Sequence, residues 1–113
     1  IWVLDFWASW CAPCREEMAY LKEMYPEVHK FGVNMISISM DDKVEAWKKA
    51  CVEEQIPWKS VRNIYGFKNG KGVREQFKFN SIPYILLIKD GRIVARNLRN
   101  WQLKKKIMEL LQE

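Results

Sequence analysis

Two cysteines separated by two residues, in Trp10-Cys11-Ala12-Pro13-Cys14, are the part of this sequence best equipped for chemistry. Thiols at this spacing either make and break a disulfide or supply half of a tetrahedral zinc site. The flanks discriminate between the two. Upstream, Ile1-Trp2-Val3-Leu4-Asp5-Phe6-Trp7 is too continuously apolar for an exposed strand, and downstream Cys14, Met18, Leu21, Met24 and Val28 recur at helical spacing. Cys11 is therefore expected at the first turn of a helix, beside unpaired backbone N–H groups and the positive end of the helix dipole. That setting favours a thiolate over a thiol. Pro13 fits a first helical turn, where its missing N–H costs little, and it stiffens the short ring that a Cys11–Cys14 disulfide closes. A zinc site would need further ligands, and only Cys51 and His29 remain, with no second paired motif. Redox chemistry is the better reading, and neither a metal nor another cofactor is expected.

The elements that must position this pair follow from the rest of the chain. Its 113 residues suffice for one domain with a single core, and the 49% hydrophobic and 29% charged composition is that of a globular protein. Three cysteines cannot build a disulfide framework, so one pair plus one leftover reads as chemistry plus a bystander. Cys51 is expected to be a small buried apolar residue. The net charge of +5 is spread out, its densest run being Lys104-Lys105-Lys106 on an expected helix face, so nucleic acid is not an expected partner. No apolar run approaches a membrane span, and no signal peptide is present. Ile1 already reads as part of a strand, so an N-terminal portion carrying an export signal, tether or further domain is expected to be missing.

The spacing predicts a strand over 2–7 and a helix over 12–25, kinked or stopped at Pro26 with 27–31 adding at most a turn. A strand over 33–40 comes next, then a helix over 43–55 capped by Asp41 and Asp42. A short extended piece over 58–61, a loop over 63–71 and a short helix over 73–77 lead to a hairpin of 84–88 and 93–96. A last helix covers 101–112. Gly66, Gly70, Lys71 and Gly72 do not make a phosphate loop, because three residues rather than four separate the first two glycines and no Ser or Thr follows the lysine. A parallel first half and an antiparallel hairpin together require an α/β fold, with a mixed central sheet and helices on both faces.

The segment Asp5-Phe6-Trp7-Ala8-Ser9-Trp10-Cys11-Ala12-Pro13-Cys14-Arg15 resembles the active-site segment of the thioredoxin-like superfamily. Ser81-Ile82-Pro83, the apolar strand after it and Lys89-Asp90-Gly91 resemble the cis-proline strand and hairpin of the same family. Cys14-Arg15-Glu16-Glu17-Met18 and the helix over 43–55 followed by Ile56-Pro57-Trp58 are closer to its secreted, often membrane-tethered branch typified by TlpA and ResA, which carries an inserted helix after the second strand. The resemblance covers nearly the whole chain, as one thioredoxin-like domain over 1–113. The sequence departs from the pattern at Ala12, where several members have glutamate, at Asp5, where some have asparagine, and at Tyr84, where threonine is common. No lysine occurs over 33–40 to pair with Asp5.

The resemblance implies a thiol–disulfide oxidoreductase that reduces protein disulfides outside the cytoplasm, recharged by a membrane or soluble thiol donor. Cys11 is then the exposed nucleophile, Cys14 resolves the mixed disulfide, and buried Asp5, its pKa raised, takes the Cys14 proton. A cis Pro83 faces the cysteines, Ile82 offers backbone groups to an extended partner segment, and Trp10, with Ala12 and Pro13, forms the partner-facing surface. The other five tryptophans are expected to serve packing. The domain is expected to be a soluble monomer, with a membrane tether of the whole protein left open. A binding module for extended segments without redox turnover is the alternative. A peroxidase is disfavoured, since Ala8 and Leu4 stand where its motif needs Thr/Ser and Pro.

Overall fold

The computed structural model describes residues 1–67 and 72–113. Strand β1 (Trp2–Trp7) lies in the middle of the sheet, as a run with apolar residues on both faces must. It pairs in parallel with β2 (Asn34–Ser39) and antiparallel with β4 (Tyr84–Lys89). Strand β3 (Lys59–Arg62) adds in parallel beyond β2, and β5 (Arg92–Arg96) adds antiparallel beyond β4, giving the order β3-β2-β1-β4-β5. Parallel neighbours need crossover connections. Helix α1 (Ala12–His29) supplies the first and α2 (Val44–Glu54) the second, while α3 (Val73–Phe77) precedes β4 and α4 (Asn100–Leu111) follows β5. This is the expected thioredoxin fold, with α2 inserted after the second strand.

Successive side chains of a strand point to opposite faces. On β1, Val3 and Trp7 join the larger core with Cys14, Met18, Leu21 and Met24 of α1 and Leu103 and Ile107 of α4. Phe6 points the other way, into a smaller core with Ile38, Met40, Phe79 and Leu86, against which Val73 and Phe77 of α3 pack. Asp5 alternates with Phe6, so its carboxyl enters the sheet face covered by α1.

Several elements depart from expectation. Helix α1 runs through Pro26 to His29. Proline removes one helical N–H, but its fixed φ suits a helix, and buried Val28 anchors the final turn against the core. The cap of α2 is Lys43, with no side-chain hydrogen bond, because Asp41 is turned inward to other donors. On β2 the alternation conceals a second buried face, since Ser37 and Ser39 are as fully enclosed as the Ile38 between them. Trp2 and Trp101 are largely exposed rather than packed. Cys51 is a free thiol, but only half-buried, with its sulfur 3.3 Å from Ser60 Oγ. Gly66 and Gly72 both have positive φ, whereas the Gly70-Lys71 part of the rejected phosphate-loop reading lies outside the described residues.

Candidate functional site

The site forms where β1 ends and α1 begins. The chain leaves the strand through Ala8 to Trp10, and Cys11 caps the helix with extended backbone (φ −97°, ψ 99°). The Cys14 N–H donates to Cys11 Sγ over 3.2 Å, so an unpaired first-turn amide already points at the sulfur. A negative charge on Cys11 Sγ would be stabilised there by that N–H and the helix dipole. Cys11 and Cys14 are joined as a disulfide, with their Cα atoms 5.2 Å apart.

Cys11 is less open than its expected role suggests, at 5% exposed against 0% for Cys14. The cover comes from the loop before β4, where the Ile82 carbonyl oxygen lies 3.8 Å from Cys11 Sγ. The Ile82–Pro83 peptide bond is cis, and Pro83 is buried. Trp10 stands beside the disulfide at 60% exposure, its ring edge-on to Phe67 with centroids 6.1 Å apart. Ala12 and Pro13 are exposed. The structure thus gathers Trp10, Cys11, Ala12, Pro13 and Cys14 at the start of α1, with the Ile82-Pro83 segment against Cys11 and Asp5 buried on the strand that leads into them.

Asp5 is 1% exposed. Its Oδ2 accepts from Ser37 Oγ over 2.8 Å, directly across the β1–β2 register, and its Oδ1 has no hydrogen-bond partner. Burial pushes the carboxyl up from 3.8 to about 7, against the opposing Ser37 bond and with some help from the Glu17 charge. No cation contributes among the described residues. Ser37 Oγ also accepts from Trp58 Nε1 over 2.8 Å, so its own hydrogen is committed to Asp5.

Two further carboxyls belong to the site and were missed by sequence reasoning. Glu17, one helical turn after Cys14, is buried and accepts from the Asn100 N–H over 2.7 Å. Burial raises its carboxyl, opposed by that bond and the Arg99 charge. Its signal was position, because Cys14, Glu17, Met18 and Leu21 share one helical stripe. Asp41 clamps the loop that carries Cys11. The Ser9 N–H donates to both carboxylate oxygens over 3.1 Å, Ser9 Oγ donates to Oδ1 over 2.6 Å, and Ser39 Oγ donates to Oδ2. From the other side, Arg15 Nη1 donates to the Ser9 carbonyl over 3.4 Å while its guanidinium pairs with Glu53 and Glu54 of α2.

The alternative metal reading finds no support in side-chain placement. His29 Nδ1 lies 2.9 Å from the Val33 carbonyl, and no group of three or more His, Cys, Asp or Glu is placed to hold a metal ion among the described residues. Likewise, no helix among them is long and apolar enough to cross a membrane.

The geometry has counterparts among known proteins. A thioredoxin-like family model matches residues 1–94. A thiol–disulfide oxidoreductase from Bacteroides fragilis is 32% identical, with a TM-score of 0.87 over 96% of this chain and 80% of that one. The thioredoxin domain of a thiol–disulfide oxidoreductase from Bacteroides vulgatus is 29% identical, with a TM-score of 0.86 over 97% and 78%. Among curated relatives, the thiol–disulfide oxidoreductase ResA of Bacillus thuringiensis is 33% identical over 100 residues, covering 82% of this chain and 51% of its own. The chain therefore spans about half the length of that relative. With the matched segment running from β1 across the disulfide to β5, the chain belongs to the thioredoxin-like family of thiol–disulfide oxidoreductases.

Proposed function

We propose that this thioredoxin-like domain over 1–113 reduces disulfides in partner proteins through the Cys11/Cys14 dithiol, acting outside the cytoplasm. The observation that carries the reading is the Cys11–Cys14 disulfide at the start of α1, with a backbone amide aimed at Cys11 Sγ. In the reduced state, the Cys11 thiolate attacks one sulfur of a partner disulfide and expels the other as a thiolate. Cys14 then loses its proton and attacks Cys11 Sγ, releasing the partner as a dithiol and leaving the Cys11–Cys14 disulfide. A thiol donor, membrane-bound or soluble, returns two electrons to close the cycle.

Asp5 suits the second step. A carboxyl titrating at about 7 is better matched to taking a thiol proton than one at its ordinary 3.8. Ile82 presents its backbone carbonyl at the sulfur, where an extended partner segment can add main-chain hydrogen bonds, and exposed Trp10, Ala12 and Pro13 supply the surrounding contact area. The extracytoplasmic assignment, and with it a membrane tether in the whole protein, rests on the likeness to the ResA branch.

Insulin reduction in the presence of dithiothreitol tests the activity, and no acceleration over dithiothreitol alone would refute it. A reduction potential near thioredoxin's ~−270 mV is expected for a reductant, whereas one near ~−120 mV would reverse the direction. The proton-acceptor role is tested separately, because Asp5→Asn should slow release of the mixed disulfide far more than its formation. Release at the wild-type rate across pH 6 to 9 would confine Asp5 to a structural role.

A further inference from the structure

Beyond the disulfide, α1 and α4 enclose a groove of about 330 Å³. That is the small end of ligand-sized clefts, with room for one side chain rather than a cofactor. Its floor is Met24, and its walls carry the rings of Tyr20 and Trp101, both exposed, Trp101 at 68%. Glu23, Glu27 and Lys104 line the rest. The Asn100–Glu17 bond fixes the start of α4 against α1 and so holds the two walls in place.

The charges in this groove are not balanced. Lys104 is committed to Glu27, its Nζ lying 2.8 Å from Oε2. Glu23 makes no ion pair among the described residues, although its charge also reaches Lys104. Two aromatic rings with an unpaired carboxylate beside them attract a cation, through the negative ring faces and through the carboxylate. An anion would instead meet a net negative charge, two glutamates against the one lysine. We infer that this groove takes a lysine or arginine side chain of the protein whose disulfide the Cys11–Cys14 pair reduces, an assignment that rests on the oxidoreductase reading.

The helix sets the reach. Tyr20 and Glu23 follow Cys11 by nine and twelve residues on α1, or about 14–18 Å at 1.5 Å per residue. An extended chain covers that distance in roughly four to six residues. The cation therefore sits about five positions from the partner's attacked cysteine.

The test uses peptides whose single cysteine is disulfide-linked to a chromogenic thiol, with arginine, leucine or glutamine five residues to either side. The reduced protein should react with the arginine peptide about five- to tenfold faster than with the glutamine peptide, for one of the two placements. Glu23→Gln combined with Trp101→Ala should remove that advantage. Both side chains are exposed, so the variant is expected to fold. Equal rates, an advantage that survives the double substitution, or a leucine peptide matching arginine would each overturn the proposal. If no peptide reacts, the oxidoreductase reading fails, and serine versions of the peptides decide the groove alone. Resonance shifts at Tyr20 and Trp101 with the arginine peptide only would support it, and their absence would overturn it.

Discussion

Replacing Asp5 with asparagine should change how stability depends on pH, by an amount the structure sets. In the folded protein the carboxyl titrates at about 7 rather than 3.8, chiefly because burial penalises its charge. Between those values the folded state holds a proton that the unfolded chain releases. Wild-type stability is therefore greatest below pH ~4, falls by about 1.4 kcal/mol per pH unit up to ~7, and then levels off. From pH 4.5 to 8.5 this one group removes about 3 kcal/mol. Asparagine does not titrate, and its amide oxygen can still accept from Ser37 Oγ. Its NH₂ replaces an oxygen that has no partner, which costs roughly 1–3 kcal/mol at every pH. The two effects cross, so Asp5→Asn should be the weaker protein at pH 4.5 and the equal or stronger one at pH 8.5. Urea unfolding of both oxidised proteins at half-unit intervals measures the difference directly. A gap between them that stays constant within about 0.5 kcal/mol would show that Asp5 ionises normally in the fold, and the argument from burial would be wrong.

Cys14→Ser should accumulate partners as mixed disulfides on Cys11, and Cys11→Ser should accumulate none. Mass spectrometry of trapped complexes reads the asymmetry, and equal trapping would contradict the assignment of Cys11 as nucleophile. Ser37→Ala removes the bond that lowers the Asp5 carboxyl and orphans Trp58 Nε1. The Asp5 titration followed by carboxyl-carbon NMR should move further up, and stability should fall by about 1–3 kcal/mol. Asp41→Ala leaves the buried Ser39 hydroxyl and the half-buried Ser9 hydroxyl without their acceptor, so a loss of roughly 1–3 kcal/mol is expected in urea unfolding, together with a changed reduction potential because the Cys11 loop is no longer clamped. An unchanged potential would make Asp41 a purely structural residue.

The cysteines, Asp5, Trp10 and Ile82-Pro83 were legible because each lies in a local pattern: a spaced pair, an apolar run, a strand-opening proline. What the sequence concealed depends on pairing across distance. Ser37 and Ser39 alternate with apolar residues, a pattern that marks a strand but not what lies against its polar side, and their partners are Asp5, 32 positions away from Ser37, and Asp41. Opposite Asp5 stands a hydroxyl, Ser37, rather than a charged lysine. Asp41 looked like a helix cap because a cap and a strand-end acceptor have the same composition. At Pro26 the local rule allows a kink or a stop with at most one further turn, and it ignores Val28, whose burial carries the helix on to His29.

The sheet order also explains where part of the basic surplus goes. Its two outer strands, β3 and β5, read Lys59-Ser60-Val61-Arg62 and Arg92-Ile93-Val94-Ala95-Arg96. Each begins and ends on a cation, and each leaves one row of backbone N–H and C=O groups unpaired by the sheet. Such a row is a template on which another chain can polymerise. Two copies brought edge to edge would align like charges along the seam, a repulsion that weakens as salt is added. These four cations therefore oppose edge-to-edge aggregation, and part of the basic surplus serves to keep the protein from recruiting itself.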